Sequence, residues 1–374
     1  FVQDALKRGA VAAVTDRKEN AGLPAMPAHA GQAGENVYVV EDSLKTLQEV
    51  AKKYREKLDI PIIVIGGSNG KTTSKDLVRD VLKTKYKVFA TEGNLNNEIG
   101  VPLSILSTSK DAEIAVIEIG VNHLGEHTVL LDVVIPTHVV VTNNGMDHLE
   151  GFGSPEGVRK ANKEIYDWAK IHSATTFVNK RNSELVEDSL GLKRILYPEK
   201  SIGYKTKLIG DYNRENIELA LAVGKTMGIK IEDAIKAIAS YEPSGNRSQF
   251  LEKNGIKFVV DCYNANPSSL KASLDSFMSS STSPRGVILG DMLELGKYSN
   301  EEHKKVVKYV SEQKLDCVVF VGPEFKKALE GESLKHVWFP DSEKAKDWFK
   351  GEKLSGFTFL LKGSRGIKIE KVLG

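Results

Sequence analysis

The 374-residue sequence predicts an α/β protein with two domains built on parallel sheets, preceded by part of a smaller α/β unit. Two series of short apolar runs alternate with helical stretches, one beginning at Pro61 and the other near Lys257. Continuous apolar strands separated by helices are typical of a parallel sheet that is covered on both faces. A chain of this length is also too long for one average domain, which favours two or three.

The first part of the chain is the smallest. We expect a helix over residues 2–8, a strand in AVAAV, a Gly/Pro/Ala-rich stretch over 21–34 and a strand in VYVV. A charged helix over 43–58 is expected to begin at Asp42 or Ser43 as N-cap and to lead into Pro61. The abrupt opening FVQDALKRGA is typical of the middle of a domain, so we expect a further segment before it.

The two sheet-containing parts follow. In the first of them, strands are expected at 62–66, 87–90, 114–120 and 138–143. Helices are expected at about 71–83, 99–107 and 156–170, and a closing helical pair at about 213–228 and 231–240. The last part is predicted to be a separate doubly wound domain, with strands in KFVVD, GVILG, CVVFVG, HVWF and TFLLK.

Composition favours a globular protein, with 41% hydrophobic and 27% charged residues and a net charge of +2. No cluster of Lys and Arg marks a phosphate-backbone track, so we expect no nucleic-acid partner. No apolar run approaches the roughly 20 residues that span a bilayer, and no signal peptide is recognisable. Cys262 and Cys317 lie in apolar runs and are expected to be buried, reduced thiols, which favours the cytoplasm.

The strongest local signal is a phosphate loop in IIVIGGSNGKTTSKDL. Gly67 and Gly70 let backbone N–H groups approach an anion, and the following helix begins with partial positive charge. Lys71 would meet the outer phosphates and the Thr72 hydroxyl would bind Mg²⁺. Ile65 stands where the standard loop has glycine, so the loop is a shortened form. The residues expected to bind the nucleotide here are Gly67, Ser68, Asn69, Gly70, Lys71, Thr72 and Thr73.

Two further polar residues follow predicted strands. Glu118 lies near the end of IAVIEIG, and His148 follows the next strand. Carboxyl ends of parallel strands face the ligand crevice, so these side chains could hold a divalent cation beside the phosphates. For either residue alone, a satisfied polar group at a strand end is the alternative. The asparagines of TEGNLNNEIGVPL, taken alone, favour turns and helix caps.

A set of motifs in order resembles the Mur ligases: GSNGKTT, TEGNLNNEIGVPL, EIGVNHLGE, HLEGFGSPEGV, DYNRENI, NRSQ, DCYNANPSSL, LGDMLELG and LKGSRG. DCYNANP, LGDMLELG and KGSRG are most similar to the branch that adds D-alanyl-D-alanine to UDP-N-acetylmuramoyl-tripeptide. The resemblance covers nearly all of the chain. It implies a partial N-terminal UDP-sugar-binding domain with a linker helix (1–58), a central P-loop ATPase (59–241) and a C-terminal Rossmann-like domain (242–374).

The resemblance also implies the reaction. The tripeptide carboxylate attacks the γ-phosphate of Mg·ATP to give an acyl phosphate, and the amine of D-alanyl-D-alanine then displaces phosphate. ATP and Mg²⁺ are the implied cofactors, and we expect a cytoplasmic monomer that acts in peptidoglycan synthesis. Positioning and electrostatics carry most of such a phosphoryl transfer.

The resemblance assigns roles by position. The implied catalytic residues are Lys71, Glu118 and His148. The implied metal ligands are Thr72 and Glu118, with His148 for a second Mg²⁺. Nucleotide contacts beyond the loop are implied for Asn213, Asn216, Arg247, Asp261 and Tyr263. Contacts to the dipeptide or between closing domains are implied for Asn264, Asn266, Asp291, Leu295, Lys362, Ser364 and Arg365, and other substrate contacts for Asn94, Asn96 and Asn97.

The sequence departs from the family pattern at several places. Asn162 stands where the family has a lysine, usually carbamylated, that binds the second Mg²⁺. The neighbouring Lys160 and Lys163 cannot simply replace it, because they point elsewhere on a helix of 3.6 residues per turn. If Asn162 weakens that site, Asn162→Lys should raise turnover, particularly with bicarbonate. The stretch from Asn179 to Tyr212 and the N-terminal segment are shorter than the family implies, and Gly66 stands where threonine is expected.

Two other interpretations remain open at this stage. One is a sibling ligase, either another Mur-type enzyme or a folylpolyglutamate-like enzyme. The other is a nucleotide-binding relative that has lost catalysis, for which Asn162 is the support. The presence of Lys71, Thr72, Glu118 and His148 argues against the latter, since a decayed site usually loses such residues.

Overall fold

The computed structural model describes residues 2–17, 37–199, 203–210 and 212–374. Its first elements are α1 (Val2–Lys7), β1 (Ala13–Thr15), β2 (Val37–Val39) and α2 (Ser43–Arg55). The strands β1 and β2 pair in parallel. The expected cap of α2 is confirmed, because the Asp42 side chain accepts a hydrogen bond of 2.9 Å from Lys45 N. The Gly/Pro/Ala-rich stretch lies outside the described residues.

The next elements form what we call the central lobe. They are β3 (Ile62–Gly66), α3 (Lys71–Leu82), β4 (Val88–Ala90), α4 (Gly100–Leu106), β5 (Ile114–Glu118), α5 (Glu126–Val134), β6 (His138–Val141), α6 (Leu149–Phe152), α7 (Pro155–His172), β7 (Thr175–Asn179), α8 (Ser183–Asp188), β8 (Arg194–Tyr197), α9 (Tyr212–Thr226) and α10 (Ile231–Ser240).

The sheet of the central lobe is parallel throughout and has the order β4-β5-β3-β6-β7-β8. The predicted parallel sheet is therefore confirmed, and the four predicted strands all exist. Because β3 lies between β5 and β6, the carboxyl ends of these three strands meet at one edge. That edge is where ligands bind in open α/β sheets.

Several elements of this lobe were not expected from the sequence. They are β7, β8, α5, α6 and α8. The helix α2 is also shorter than expected, because it ends at Arg55. The guanidinium of this buried residue donates to Val134 O over 2.8 Å and to Ile135 O over 3.0 Å. It thereby satisfies carbonyl groups at the end of α5, which have no partner within that helix.

The remaining elements form the C-terminal lobe. They are β9 (Gln249–Lys253), β10 (Ile256–Val260), α11 (Pro267–Ser280), β11 (Arg285–Gly290), α12 (Ser299–Ser311), β12 (Cys317–Val321), α13 (Pro323–Ala328), β13 (Val337–Phe339), α14 (Ser342–Gly351) and β14 (Thr358–Lys362). Short 3₁₀ turns occur at Gly296–Tyr298, Arg365–Ile367 and Ile369–Leu373.

The sheet of the C-terminal lobe has the order β13-β12-β11-β14-β10-β9. The five predicted strands are parallel, as a doubly wound domain requires. The sixth strand, β9, was not predicted and pairs antiparallel with β10 at the edge, which makes the sheet mixed. The strand β14 returns between β11 and β10, so the carboxyl ends of these three strands meet and turn toward the central lobe.

The sheets hold the hydrophobic cores. Every residue of β3 and β5 is buried, as continuous apolar strands predict. A fully buried aliphatic or aromatic side chain contributes about 1.5–3 kcal/mol by its removal from water. Among the described helices, none has the length and apolar character that a membrane crossing needs.

The two cysteines are free thiols. Cys262 is buried, as expected, whereas Cys317 at the start of β12 is only half-buried. Burial raises the pKa of the Cys262 thiol to about 12, so it stays protonated at neutral pH.

Candidate active site

The phosphate loop joins β3 to α3. Gly67 and Gly70 have φ of +107° and +82°, in the left-handed region that glycine occupies without strain. A Cβ on Gly67 would lie 2.5 Å from Thr142 Oγ1, so a side chain has no space there. The Lys71 ammonium donates to Gly67 O over 2.6 Å and to Ser68 O over 3.0 Å. The loop therefore combines a lysine with the N-terminus of a helix, as an anion site requires.

Asn143 braces this loop from the end of β6. Its Oδ1 accepts from Asn69 N over 3.1 Å, and its Nδ2 donates to Asn69 O over 3.0 Å. Its backbone oxygen accepts from Ser68 N over 3.0 Å. Sequence analysis missed this residue. Its position at the end of the predicted strand at 138–143, the neighbour of the loop strand, was the available signal.

Glu118, at the end of β5, faces the start of α3. Its Oε1 accepts hydrogen bonds from Thr72 Oγ1 over 3.1 Å and from Asn96 Nδ2 over 2.9 Å. The residue is 2% exposed, and Oε2 is buried with no hydrogen-bond partner among the described residues. A buried carboxylate oxygen without a partner is costly, and a cation satisfies it. The donor set of Thr72 and Glu118 thus fits Mg²⁺, which takes oxygen ligands.

His148 lies apart from this pair, at the junction with the C-terminal lobe. Its Nδ1 is 2.8 Å from Glu294 Oε2, and the hydrogen bond from His148 lowers the pKa of Glu294. The described residues contain no group of three or more His, Cys, Asp or Glu side chains that could hold a metal. Thr72 and Glu118 are the side chains that would hold Mg²⁺, for which one or two protein ligands are usual beside phosphates.

The C-terminal lobe contacts the phosphate loop directly. Asn69 Nδ2 donates to Ser268 Oγ over 3.1 Å, and Asn266 Nδ2 donates to Asn69 Oδ1 over 2.8 Å. Asn266 is also the N-cap of α11, because its Oδ1 accepts from Ser269 N over 2.8 Å. The expected closure role of Asn266 thus has a geometric basis. Ser268 was missed, although it follows Asn266 in the capping sequence NPSS.

Hydrogen bonds continue from α3 through α9. Ser74 Oγ donates to Asn216 Oδ1 over 2.9 Å, and Asn216 Nδ2 donates to Asn213 Oδ1 over 3.0 Å. Asn213 Nδ2 donates in turn to Ile209 O over 2.7 Å and to Ser248 Oγ over 3.2 Å. Asn213 and Asn216 are both buried, and both border the cleft described below. Their amides join the two lobes in this structure.

The same path ends in a buried ion pair. Ser248 N donates to Asp261 Oδ1 over 3.2 Å, and Lys362 Nζ donates to Asp261 Oδ2 over 2.9 Å. Burial opposes ionisation of Asp261, but Lys362 and further hydrogen bonds hold its pKa below the usual value. Lys362 also donates to Asn264 O over 3.0 Å, and Ser364 Oγ donates to Ala265 O over 3.1 Å. These bonds fix the loop after β10.

Two arginines stack on Tyr263 in that loop. The guanidinium carbon of Arg247 lies 3.7 Å from the centre of the Tyr263 ring, and that of Arg365 lies 5.0 Å from it. Both distances allow a cation–π interaction. Sequence analysis named these three residues but did not anticipate that they form one stack.

The lobes enclose two adjoining clefts. The larger one, which we call the phosphate cleft, has a volume of about 730 Å³ and is lined by the phosphate loop, Glu118, His148 and the C-terminal loops. The smaller one, the side cleft, has a volume of about 540 Å³ and lies between α3, β4 and the C-terminal lobe. Five residues line both clefts and mark their junction: Thr72, Asn94, Arg247, Tyr263 and Arg365.

Most of the site residues named from the sequence line these clefts, but Gly67, Asp291 and Leu295 do not. Asp291 is fully buried, and its carboxylate oxygens accept from Glu324 N and Phe325 N, each over 2.9 Å, at the start of α13. Leu295 is buried too. Asp291 and Leu295 are therefore separated from the clefts, and their implied roles stay predictions. Asn97 lines the phosphate cleft, and its Oδ1 accepts a hydrogen bond from Gly100 N, at the start of α4, over 2.9 Å.

Asn162 sits in α7 behind the loop that follows β6. It is 5% exposed, and its Nδ2 donates to Asn144 Oδ1 over 3.0 Å and to Asn143 O over 3.4 Å. Lys160 is exposed and Lys163 pairs with Asp167, so neither neighbouring lysine takes its place. The side chains present do not fit a carbamate-held second metal.

Gly66 has a packing partner in the same helix. A Cβ at Gly66 would lie 2.4 Å from Ile165 Cδ1 and 3.2 Å from Ile119 Cγ1. The threonine that the family pattern has at this position would require these side chains to move. The shorter stretch from Asn179 to Tyr212 stays a prediction, and its residues 200–202 and 211 lie outside the described part.

Comparisons with known proteins agree with this architecture. The model of the Mur ligase middle domain matches residues 65–189, and that of the Mur ligase, glutamate ligase domain matches residues 246–365. The UDP-N-acetylmuramoyl-tripeptide–D-alanyl-D-alanine ligase of Bacillus subtilis is 31% identical over 403 aligned residues, which cover 100% of this chain and 86% of the relative.

Solved structures give the same result. MurF from Acinetobacter baumannii superposes with a TM-score of 0.85 at 27% identity, covering 100% of this chain and 86% of that one. MurF ligase from Thermotoga maritima, solved in complex with ADP, superposes with a TM-score of 0.83 at 26% identity, covering 100% and 90%. The fold, the loop sequence and the match over the whole length agree, and the chain belongs to the Mur ligase family.

Proposed function

We propose that this protein is an ATP-dependent ligase that adds D-alanyl-D-alanine to UDP-N-acetylmuramoyl-tripeptide in the cytoplasm. The Bacillus subtilis relative, a UDP-N-acetylmuramoyl-tripeptide–D-alanyl-D-alanine ligase, supports the choice of substrates. The observation that carries the proposal is the meeting of a phosphate loop with the C-terminal lobe at Asn69 and Asn266. A two-substrate ligase needs such a closed cleft, because its activated intermediate must be kept from water.

The first proposed step activates the donor. The terminal carboxylate of the tripeptide attacks the γ-phosphorus of ATP, the bond to the β,γ-bridging oxygen breaks, and ADP leaves. Lys71 balances negative charge on the outer phosphates, and α3 adds the positive end of its dipole. Mg²⁺, held by Thr72 and Glu118, would supply further charge neutralisation when bound. We further propose that Arg247 binds phosphate, and that Tyr263, Asp261, Asn213 and Asn216 border the ribose and base.

The second proposed step forms the amide. The amine of D-alanyl-D-alanine attacks the carbonyl carbon of the acyl phosphate, inorganic phosphate leaves, and the amine proton passes to phosphate or solvent. Positioning of the two reactants supplies much of the rate. The lobes therefore have to hold both substrates at one junction, and the residues common to the two clefts are the candidates for that task.

The test is ADP release from Mg·ATP and UDP-N-acetylmuramoyl-tripeptide, with and without D-alanyl-D-alanine, with the product identified by mass spectrometry. Release that depends on the dipeptide, with a product of the pentapeptide mass, supports the proposal. Lys71→Ala should abolish release, and Lys110→Ala, at an exposed lysine outside the clefts, serves as the matched control. ADP release that depends on another amino acid, such as glutamate, would support a sibling ligase. ATP binding without turnover would support an inactive relative.

A further inference from the structure

A buried lysine near the phosphate loop takes no part in the proposed reaction. Lys75 lies on α3, about one helical turn after Lys71, and is 3% exposed. Its ammonium donates to Thr91 O over 2.7 Å and lies 3.3 Å from Asp76 Oδ1. Burial of an ammonium group is costly unless the group is paired and hydrogen-bonded. We therefore looked for the role of Lys75 in the residue to which it donates.

Thr91 joins this lysine to the strand that ends at Glu118. The Thr91 N–H donates to Val116 O over 3.0 Å, and the Thr91 Oγ1 accepts from Glu118 N over 3.0 Å. Thr91 is 2% exposed. Its N–H, its carbonyl oxygen and its hydroxyl oxygen each have a partner, and the partner of the carbonyl oxygen is Lys75. Thr91 therefore holds the backbone of Glu118 at the point where β5 ends.

The chain that begins at Thr91 returns to Glu118 five residues later, within residues 91–97, which we call the asparagine loop. Asn96 Nδ2 donates to Glu118 Oε1 over 2.9 Å, and Asn96 O accepts from Gly120 N over 2.8 Å. A Cβ on Gly120 would lie 3.1 Å from Asn96 Nδ2, so the loop packs closely against the residues that follow β5. Glu118 thus contacts the loop near both of its ends.

The asparagine loop stands between the two clefts. Its residues 91–94 line the side cleft, and Asn94, Asn96 and Asn97 line the phosphate cleft. A shift of the loop would therefore move the wall of the phosphate cleft and the carboxylate of Glu118 together. Functional side chains have to be held within about 0.5 Å of their working positions by the residues around them.

We propose that Lys75 is a positioning residue for the metal-binding carboxylate. Through Thr91 it fixes the asparagine loop and the backbone of Glu118, and so holds the unpartnered Oε2 where Mg²⁺ binds beside Thr72. This inference rests on the proposed function, which places Mg²⁺ at Thr72 and Glu118. Because Lys75 touches neither phosphate nor metal in this arrangement, its loss should weaken the response to metal and leave metal-free nucleotide binding intact.

The test measures the affinity of the protein for a non-hydrolysable ATP analogue with and without Mn²⁺. Mn²⁺ substitutes for Mg²⁺, and its protein-bound form is identified by electron paramagnetic resonance. Lys75→Met removes the ammonium and keeps an unbranched side chain. It should reduce the gain in affinity that Mn²⁺ gives by about tenfold, as expected for the loss of a buried hydrogen bond from a charged group. The affinity without metal should stay the same.

Variants at Thr91 separate positioning from folding. Thr91→Val keeps the shape but removes the acceptor of the Glu118 N–H, so it should reduce the gain from Mn²⁺ as Lys75→Met does. Thr91→Ser keeps the hydroxyl and should retain the wild-type gain. The double variant of Lys75→Met and Thr91→Val should lose less than the sum of the two single losses, because both act through one path.

Lys85→Met is the matched control. Lys85 also donates to backbone oxygens, those of Met227 and Gly228, over 3.5 Å and 3.4 Å. It lines neither cleft. This substitution should leave the gain from Mn²⁺ unchanged, and melting temperatures of all variants show which of them fold.

The inference is overturned if a folded Lys75→Met variant keeps the wild-type gain from Mn²⁺. It is also overturned if Thr91→Ser loses as much of that gain as Thr91→Val, because the hydroxyl contact with Glu118 would then be irrelevant. Should Lys75→Met fail to fold, the Thr91 pair decides alone. Each of these results leaves the metal response of the wild type intact. A wild-type protein whose nucleotide affinity does not respond to Mn²⁺ would instead refute the proposed metal site, and the inference with it.

Discussion

Asn266 Nδ2 donates a hydrogen bond of 2.8 Å to Asn69 Oδ1, so a side chain of the C-terminal lobe holds the phosphate loop of the central lobe. Asn69 returns a bond of 3.1 Å to Ser268 Oγ. Ser268 Oγ also accepts from Met146 N over 3.1 Å, which ties in the loop after β6. The start of α11 is therefore a contact point for both loops that surround the phosphates. Closure of the lobes and order in the phosphate loop are physically linked.

Asn69→Ala removes the two side-chain bonds to the C-terminal lobe and leaves the α11 cap intact. Each bond is worth about 1 kcal/mol net, so we expect kcat to fall by roughly tenfold or more as the closed arrangement loses stability. Steady-state kinetics measures this, and small-angle scattering with nucleotide should show a larger radius of gyration. Asn300→Ala, at an exposed asparagine of α12, is the control. An unchanged kcat would show that closure does not depend on Asn69.

Glu118→Gln tests the buried carboxylate oxygen. The variant keeps an oxygen to accept from Thr72 and Asn96 but removes the charge, so we expect a much higher Mg²⁺ requirement and at least a 100-fold loss of ADP release. Nucleotide affinity measured without Mg²⁺ should stay the same. Thermal stability should not fall, because the uncompensated buried charge disappears. Glu49→Gln, on the exposed face of α2, is the control. An unaltered Mg²⁺ titration would remove Glu118 from the metal site.

The phosphate loop and Glu118 could be located from the sequence because both follow rules that act along the chain. A glycine-rich turn between an apolar strand and a helix has few other uses, and Glu118 lies at the carboxyl end of a strand. Asp291 also follows an apolar strand, but its role was implied by the family resemblance alone, and it does not line either cleft. There, the start of α13 packs over the carboxylate, and a Cβ on Gly322 would lie only 2.3 Å from Asp291 Oδ2. Such contacts are set by tertiary structure.

The missed strands β7, β8 and β9 have a similar explanation. The strand β7 is TTFVN, whose two threonines give no apolar run, and β9 is QFLEK, an edge strand with exposed polar positions. Strand pairing defines them: β7 pairs with β6 and β8, and β9 pairs with β10. A sequence pattern carries such pairing only weakly. The Tyr263 stack was likewise not predictable, because Arg247, Tyr263 and Arg365 meet only when the C-terminal lobe folds.

Asn162→Ala tests the hydrogen bonds by which Asn162 supports Asn143 and Asn144. The substitution removes a 3.0 Å bond to Asn144 and a longer one to Asn143, so the brace of the phosphate loop should loosen and the KM for ATP should rise about fivefold. Lys160→Ala, at an exposed residue of the same helix, is the control. Asn162→Lys in the presence of bicarbonate should not exceed wild-type turnover, because the amide bonds are lost. A gain in turnover would mean that a carbamate site can still form there.

The burial of His127 leads us to expect that the stability of the protein depends on pH. This residue is 2% exposed in α5, and its Nδ1 lies 2.8 Å from Ala161 O. Burial lowers its pKa from 6.5 to about 4, with a smaller contribution from Lys71. Between these two values the unfolded chain binds a proton that the folded protein does not. The free energy of unfolding therefore falls as the pH drops from about 6.5 toward 4, by up to roughly 3 kcal/mol from this residue.

His127→Asn removes this titration and keeps an N–H donor close to the position of Nδ1. His138, whose pKa burial also lowers to about 4, remains in the variant. Burial lowers the pKa of His303 as well, and this residue also remains. The slope of unfolding free energy against pH between 6.5 and 4.5 should therefore fall by about one proton relative to the wild type. Urea unfolding at a series of pH values measures the slope. A slope that does not change would show that His127 is already charged in the folded protein, which the apolar surroundings in the structure argue against.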